Sequence, residues 1–153
     1  MGIFSKMKNA VTGGAAKVSI EYAPGTYKPG DSIPVKVTVA SSTKDEVKSK
    51  GIFVDLQAVE TGSVTGNGTC PNCQNNTNHR VELDHATFEQ QIPLCGAFIL
   101  KPNEVKVVEG KITIPSTAQP TFHGSIDHTW SMRGRLEAVG NDPDSGFYVI
   151  IVR

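Results

Sequence analysis

The chain has 153 residues in which 15 Lys and Arg balance 15 Asp and Glu, so it has the size of one domain and no net charge to draw nucleic acid or anionic membrane. Charged residues at 20% and hydrophobic residues at 38% exclude gross disorder, and 15 Gly with 9 Pro suit short strands joined by turns better than helices. No apolar run approaches the roughly 20 residues of a membrane span and the first residues lack the apolar core of a signal peptide, so a cytoplasmic location is expected.

At the N-terminus, Ile3, Phe4, Met7, Ala10 and Val11 recur at helical spacing until Gly13-Gly14 stops any helix. Residues 1–14 are therefore read as an amphipathic segment ahead of a domain at 15–153. With only Lys6 and Lys8 on its polar side, it is better explained by a short helix folded onto its own domain than by contact of residues 3–11 with a membrane surface. Gly2 invites myristoylation, but Lys6 stands where that motif wants Ser or Thr.

Strands follow. Val18, Ile20 and Tyr22 alternate with polar neighbours, and Tyr27-Lys-Pro-Gly-Asp31 opens into Ile33, Val35, Val37 and Val39, again with period two. Ser41–Lys50 is a polar connection, and Ile52, Val54, Leu56 and Ala58 make a third alternating run. Thr61 to His85 is almost free of apolar residues and rich in Gly, Asn and Thr, which predicts a long loop inserted at 61–85. The sequons Asn67-Gly-Thr69 and Asn75-Asn-Thr77 in it have no meaning without a secretory route. Strand character returns over Thr87–Leu94, Cys95–Leu100 and Val105–Ile114. Pro115–Gly124 is a crossing segment, and Ser125–Val139 is expected to be the longest strand, with Trp130 in the core. After the turn Asn141–Gly146, Phe147–Val152 is apolar on both sides and is expected to be a doubly covered central strand. Some eight strands with essentially no helix predict an all-β, antiparallel two-sheet β-sandwich.

The turn Tyr27-x-Pro-Gly-Asp31, then Phe98-Ile-Leu-Lys-Pro102, Ile112-Thr-Ile-Pro115, Pro120-Thr-Phe122 and the strand around Trp130 resemble the arrestin-like N-terminal sandwich. Met1 to Lys8, the Gly13-Gly14 break and Ala16-Lys-Val18 resemble more narrowly the bacterial sporulation-control proteins with arrestin-like folds. The resemblance implies a single lobe of a fold that usually has two, and a non-catalytic adaptor or regulator that binds proteins through sheets and loops. Self-association would supply the missing lobe. The insert at 61–85 has no counterpart in the family.

One constellation carries chemistry. Cys70-Pro-Asn-Cys73, followed by His79 and His85, offers two thiolates and two imidazoles for a structural Zn2+, and such a metal would supply folding free energy to a loop with no core of its own. A disulfide within Cys70–Cys73 or to Cys95 is the first alternative, although a cytosolic chain keeps its thiols reduced. Free cysteines in a mobile loop are the second. A redox pair is disfavoured because such pairs open a helix in a βαβ unit. Cys95, between Leu94 and Gly96, reads as a small core residue.

Other groups are weaker. His123, Ser125, Asp127 and His128 have the residue types of a triad but no Gly-x-Ser-x-Gly elbow, and Asp142 with Asp144 fits a turn better than a Ca2+ loop. Arg133 and Arg135, placed at best beside Lys36 and Lys111, lack interleaved aromatics and read as a solvated sheet face. The resulting expectation is a non-enzymatic interaction protein whose partners are proteins, itself included, with no nucleic acid and no small-molecule substrate. A self-assembling structural protein, as homo-oligomer or filament, comes second, and a metal-dependent enzyme last.

Overall fold

The computed structural model describes residues 11–153, and the predicted helical segment at 3–10 lies outside them. The described residues form strands β1 (Val11–Gly13), β2 (Ala16–Tyr22), β3 (Thr26–Tyr27), β4 (Ser32–Ser41), β5 (Val47–Thr69), β6 (Asn76–Cys95), β7 (Phe98–Leu100), β8 (Val105–Thr113), β9 (Ile126–Ala138) and β10 (Tyr148–Val152). One sheet runs in the order β1-β2-β4-β8 and the other β3-β10-β9-β5-β6, with β7 pairing onto the start of β5. Among the described residues no helix is long and apolar enough to cross a membrane.

The sandwich follows from the period-two pattern. Val18 and Ile20 of β2 and Ile33, Val35, Val37 and Val39 of β4 are buried against Ile52, Val54, Leu56 and Ala58 of β5 and Trp130, Met132 and Leu136 of β9. Each Val, Ile, Leu or Met among them contributes roughly 1.5–3 kcal/mol by leaving water. The sheets approach closely at Gly134, where a Cβ would lie 3.1 Å from Val37 Cγ1. The expected start of β4 is confirmed in detail. Gly30 sits at φ 88° behind Pro29, the Lys28 N–H donates to Asp31 Oδ2 (2.8 Å), and the Asp31 N–H donates back to the Lys28 carbonyl (3.0 Å). This is the geometry that a Pro-Gly pair favours. The turn is then tied to the far strand by Gly30 N–H to Ile114 O and Ile114 N–H to Asp31 O.

Several sequence expectations need correction. Val11, counted with the amphipathic segment, begins β1 and pairs with Val18. The polar connection after β4 is shorter than expected, because Val47–Lys50 already belongs to β5. Residues 61–85 are no loop. β5 and β6 stay in register from Thr61↔Asp84 out to Thr69↔Asn76, so the insert is a long hairpin. β5, with 23 residues, is therefore longer than β9 with 13. β10 is not doubly covered. It lies between β9 and the two-residue β3, and its outward Val149 is 63% exposed.

Candidate functional site

β9 accompanies β5 only as far as Ile126↔Gly62, so beyond that rung β5 and β6 continue as a two-stranded ribbon of seven further rungs, from Ser63↔Glu82 to Thr69↔Asn76. At about 3.3 Å per residue the ribbon stands about 23 Å out from the sandwich as an arm. A register shift between Ala58 and Val59, a few rungs before the root, marks an irregularity of the kind found where strands bend. Its polar side carries Arg80 and Glu82, paired at 3.2 Å. Arg80, Glu82, Asp84, Ser125 and Asp127 border an open groove of about 620 Å³ at its root.

The other side of the arm carries an apolar strip near its root, with His79 and Thr77 nearer the tip. Val64 and Val81 are cross-strand partners, 63% and 66% exposed, and the Gly62↔Leu83 rung lies two residues nearer the root on the same side. Ile126, opposite Gly62 on β9, and Phe122, stacked on His128 at 5.4 Å, are exposed at the root. This strip lies on the same side of the sheet as the buried Ala58 and Trp130, beyond the Glu60↔His85 rung, and past the end of the opposing sheet nothing in the chain covers it among the described residues. The insert's low apolar content hid the strip, since only the strand pairing brings Val64 opposite Val81.

The tip holds the cysteines. Cys70 N–H donates to Asn75 O (3.1 Å), Gln74 N–H donates to Cys70 O (2.8 Å), and Gln74 takes a left-handed φ of 56°, so the four residues Cys70-Pro-Asn-Cys73 form a tight closed turn. The Cys70 thiol is held below its ordinary pKa, first by the Cys73 thiol and then by the backbone N–H groups of Asn72 and Cys73. The two histidines are not brought to this turn. His79 pairs opposite Gly66 with its Nε2 at 3.0 Å from the Thr77 hydroxyl. His85 pairs opposite Glu60, nine residues from the start of β6 and so about 30 Å from the tip, below the arm's root. Among the described residues no three His, Cys, Asp or Glu side chains gather as a metal site. Cys95, half-buried and packed on the core, ends β6 opposite Ile52, about 60 Å from the tip. A bridge from Cys95 to either tip cysteine of the same chain is therefore out of reach.

A cluster missed by the sequence reading lies on the outer face of the larger sheet. Asp55, 8% exposed, receives Arg133 Nε at 2.8 Å and the Arg135 fork, Nε at 3.0 Å and Nη2 at 3.3 Å. Arg133 also reaches Asp144 at 3.0 Å, and Arg135 faces Glu137 and Asp142 at 3.6 and 3.7 Å. Burial opposes the Arg135 charge, but the hydrogen bond and field of Asp55, joined by Asp142 and Glu137, outweigh it and hold the guanidinium above its ordinary pKa. The two arginines thus do not form a solvated face with Lys36 and Lys111, which belong to the other sheet. Asp142 and Asp144 act as anions and turn caps, Asp142 Oδ1 accepting from Ala138 N–H and Asp144 Oδ1 from Gly146 N–H. The signal in the sequence was a lone Asp on the outward side of an alternating strand, matched by Arg-x-Arg on another.

The triad-like residues are divided. His128 is buried, with Nδ1 2.9 Å from Pro120 O and Nε2 3.1 Å from the Thr87 hydroxyl. Since Pro120 O can only accept, Nδ1 carries a proton. His123 lies outside, 3.3 Å from Asp127, which also accepts from Gly124 N–H. His128 therefore pins the crossing segment to the sheet, and His123 with Asp127 shapes the exposed turn at the arm's root.

No protein-family model matches the chain, and no curated protein matches it. Among solved structures it is similar to the sporulation control protein Spo0M from Bacillus subtilis, with a TM-score of 0.60 and 19% sequence identity over 92% of this chain and 50% of that one. The chain spans about half the length of that solved protein. The likeness shows an arrestin-like, Spo0M-like sandwich fold.

Proposed function

We propose that this chain is a non-catalytic adaptor or regulator that binds protein partners through its projecting arm. The observation that carries the reading is the uncovered strip of Val64, Val81 and Leu83, a row of exposed apolar side chains on a ribbon that adds nothing to the core. Exposed apolar surface costs solubility, and contiguous patches mark protein contacts. The likeness to a sporulation control protein is compatible with a regulatory role, and the residue types that suggested hydrolysis are engaged in holding the crossing segment and a turn. A cytoplasmic, protein-binding role without nucleic acid or small-molecule substrate fits the balanced charge.

A second reading, self-assembly into a structural homo-oligomer, is favoured by β6, which ends the larger sheet with a long outer edge. Unpaired edges of this kind template pairing with further strands. Both readings are tested by shortening the arm, with residues 64–81 replaced by Asn-Gly, a two-residue hairpin turn. The shortened chain is expected to keep its urea midpoint, with stability changed by no more than about 1 kcal/mol, as for surface changes remote from the core. In extracts of its own cells it is expected to migrate at monomer mass while the full chain migrates in a larger complex. A shortened chain that stays in the same complex contradicts the adaptor reading. If the purified full chain is itself oligomeric and shortening makes it monomeric, self-assembly takes first place.

A further inference from the structure

We propose that the arm tip is half of a metal site, in which Cys70 and Cys73 from two copies of the chain close one tetrahedral Zn2+ tip to tip. The pair alone supplies two thiolates, and structural zinc wants four protein donors. The same arm cannot easily furnish the rest, because residues 61–81 contain no Asp or Glu, His85 lies far down the ribbon, and His79 Nε2 is 3.0 Å from the Thr77 hydroxyl. The turn is nevertheless shaped to grip a metal from one side. Cys70 N–H donates to Asn75 O and Gln74 N–H to Cys70 O, and the left-handed Gln74 closes the turn directly behind Cys73, so one short closed loop at the tip carries both cysteines.

A second copy is the natural source of the missing donors. Residues 71–79 are all exposed, and the arm holds its tip about 23 Å from the sandwich, so two tips can meet without the domains colliding. A two-fold axis through the metal would present the same turn from each side, the self-complementary arrangement of a closed dimer. Two thiolates per chain also select a soft or borderline metal such as Zn2+ over Mg2+ or Ca2+. This goes beyond the adaptor reading and does not depend on it.

The test is a titration of the purified, fully reduced chain with ZnCl2, followed by native mass spectrometry and sedimentation. The expected result is one zinc per two chains in a dimer that returns to monomer when a chelator removes the metal. Cys73→Ser is expected to abolish zinc uptake and dimerisation, while His79→Ala leaves the stoichiometry unchanged. Co2+ in place of Zn2+ is expected to give the intense visible bands of a tetrahedral tetrathiolate. One zinc per monomeric chain, loss of zinc on His79→Ala, no uptake by reduced protein, or a dimer that survives complete chelation would each overturn the proposal. Cys73→Ser leaves the apolar strip intact, so failure here and failure of the adaptor reading are told apart.

Discussion

Asp55→Ala is expected to lower the unfolding free energy by about 3–5 kcal/mol, the range for removing one partner of a buried ion pair. The loss comes less from the missing attraction than from what remains. Arg135 is 7% exposed and finds Asp55 at 3.0 Å, whereas Glu137 and Asp142 stand farther off at 3.6 and 3.7 Å. Without Asp55 its guanidinium stays desolvated against Phe53, whose ring lies 5.1 Å away, and keeps only the looser Glu137 and Asp142 carboxylates in place of a hydrogen-bonded partner. Arg133 suffers less, since it is more exposed and keeps Asp144 at 3.0 Å. Asp55→Asn should cost less than Asp55→Ala because an amide oxygen still accepts from one arginine. The double change Asp55→Leu with Arg135→Leu should recover much of the loss, because neither charge is then stranded. Urea denaturation of the four proteins reads these values. The exposed pair Arg80–Glu82 serves as control, and Glu82→Ala there is expected to cost no more than about 1 kcal/mol. A cost for Asp55→Ala as small as that of the control would contradict the buried-network account.

Trp130→Ala is expected to cost about 3–5 kcal/mol, as large aromatic truncations in a core do. Trp130 is 2% exposed, lies 5.4 Å from the Phe88 ring and meets His128 edge-on at 6.1 Å. Its Nε1–H also donates to Gln119 O at 2.8 Å, so the indole holds the crossing segment as well as the core. Trp130→Phe keeps most of the apolar contact and loses the hydrogen bond, and it should cost markedly less. Denaturation followed by circular dichroism decides this, since the mutants lack the chain's single tryptophan. A cost below that of Trp130→Phe would mean that the ring is not a structural keystone of this end.

The strands of the sandwich were readable because one face of each is buried. Val18 and Ile20, Ile33 to Val39 and Ile52 to Ala58 alternate as a half-buried pleat must. The arm was not readable for the same reason. Ser63–Thr69 and Asn76–Glu82 face water on both sides, so burial imposes no alternation, and their pairing rests on backbone hydrogen bonds between Gly, Asn and Thr that carry no hydropathy signal. Val149 and Ile151 misled in the opposite direction, since apolar residues on both sides of β10 suggested a second cover that the fold does not provide.

The candidate site was legible only in part. Cys70 and Cys73 stand together because their spacing is local, whereas His79 and His85 looked near in sequence and were carried away by the rise of an extended strand. Arg133 and Arg135 were visible singly and Asp55 was not singled out, because their convergence needs β5 beside β9 and the turn at 141–146 folded over them. Long-range register of that kind leaves no mark in a single chain's pattern.

Recognition is proposed to reside in the arm's apolar strip. Placing a photo-crosslinking residue at Val64, Val81 or Val149 in separate full-length chains, and irradiating cells that express each, tests it most directly. Val149 is the control because it is as exposed as Val64, at 63%, but lies on the outward face of β10. Adducts to protein chains are expected from positions 64 and 81, and none above background from 149. Adducts from 149 with none from the arm would contradict it.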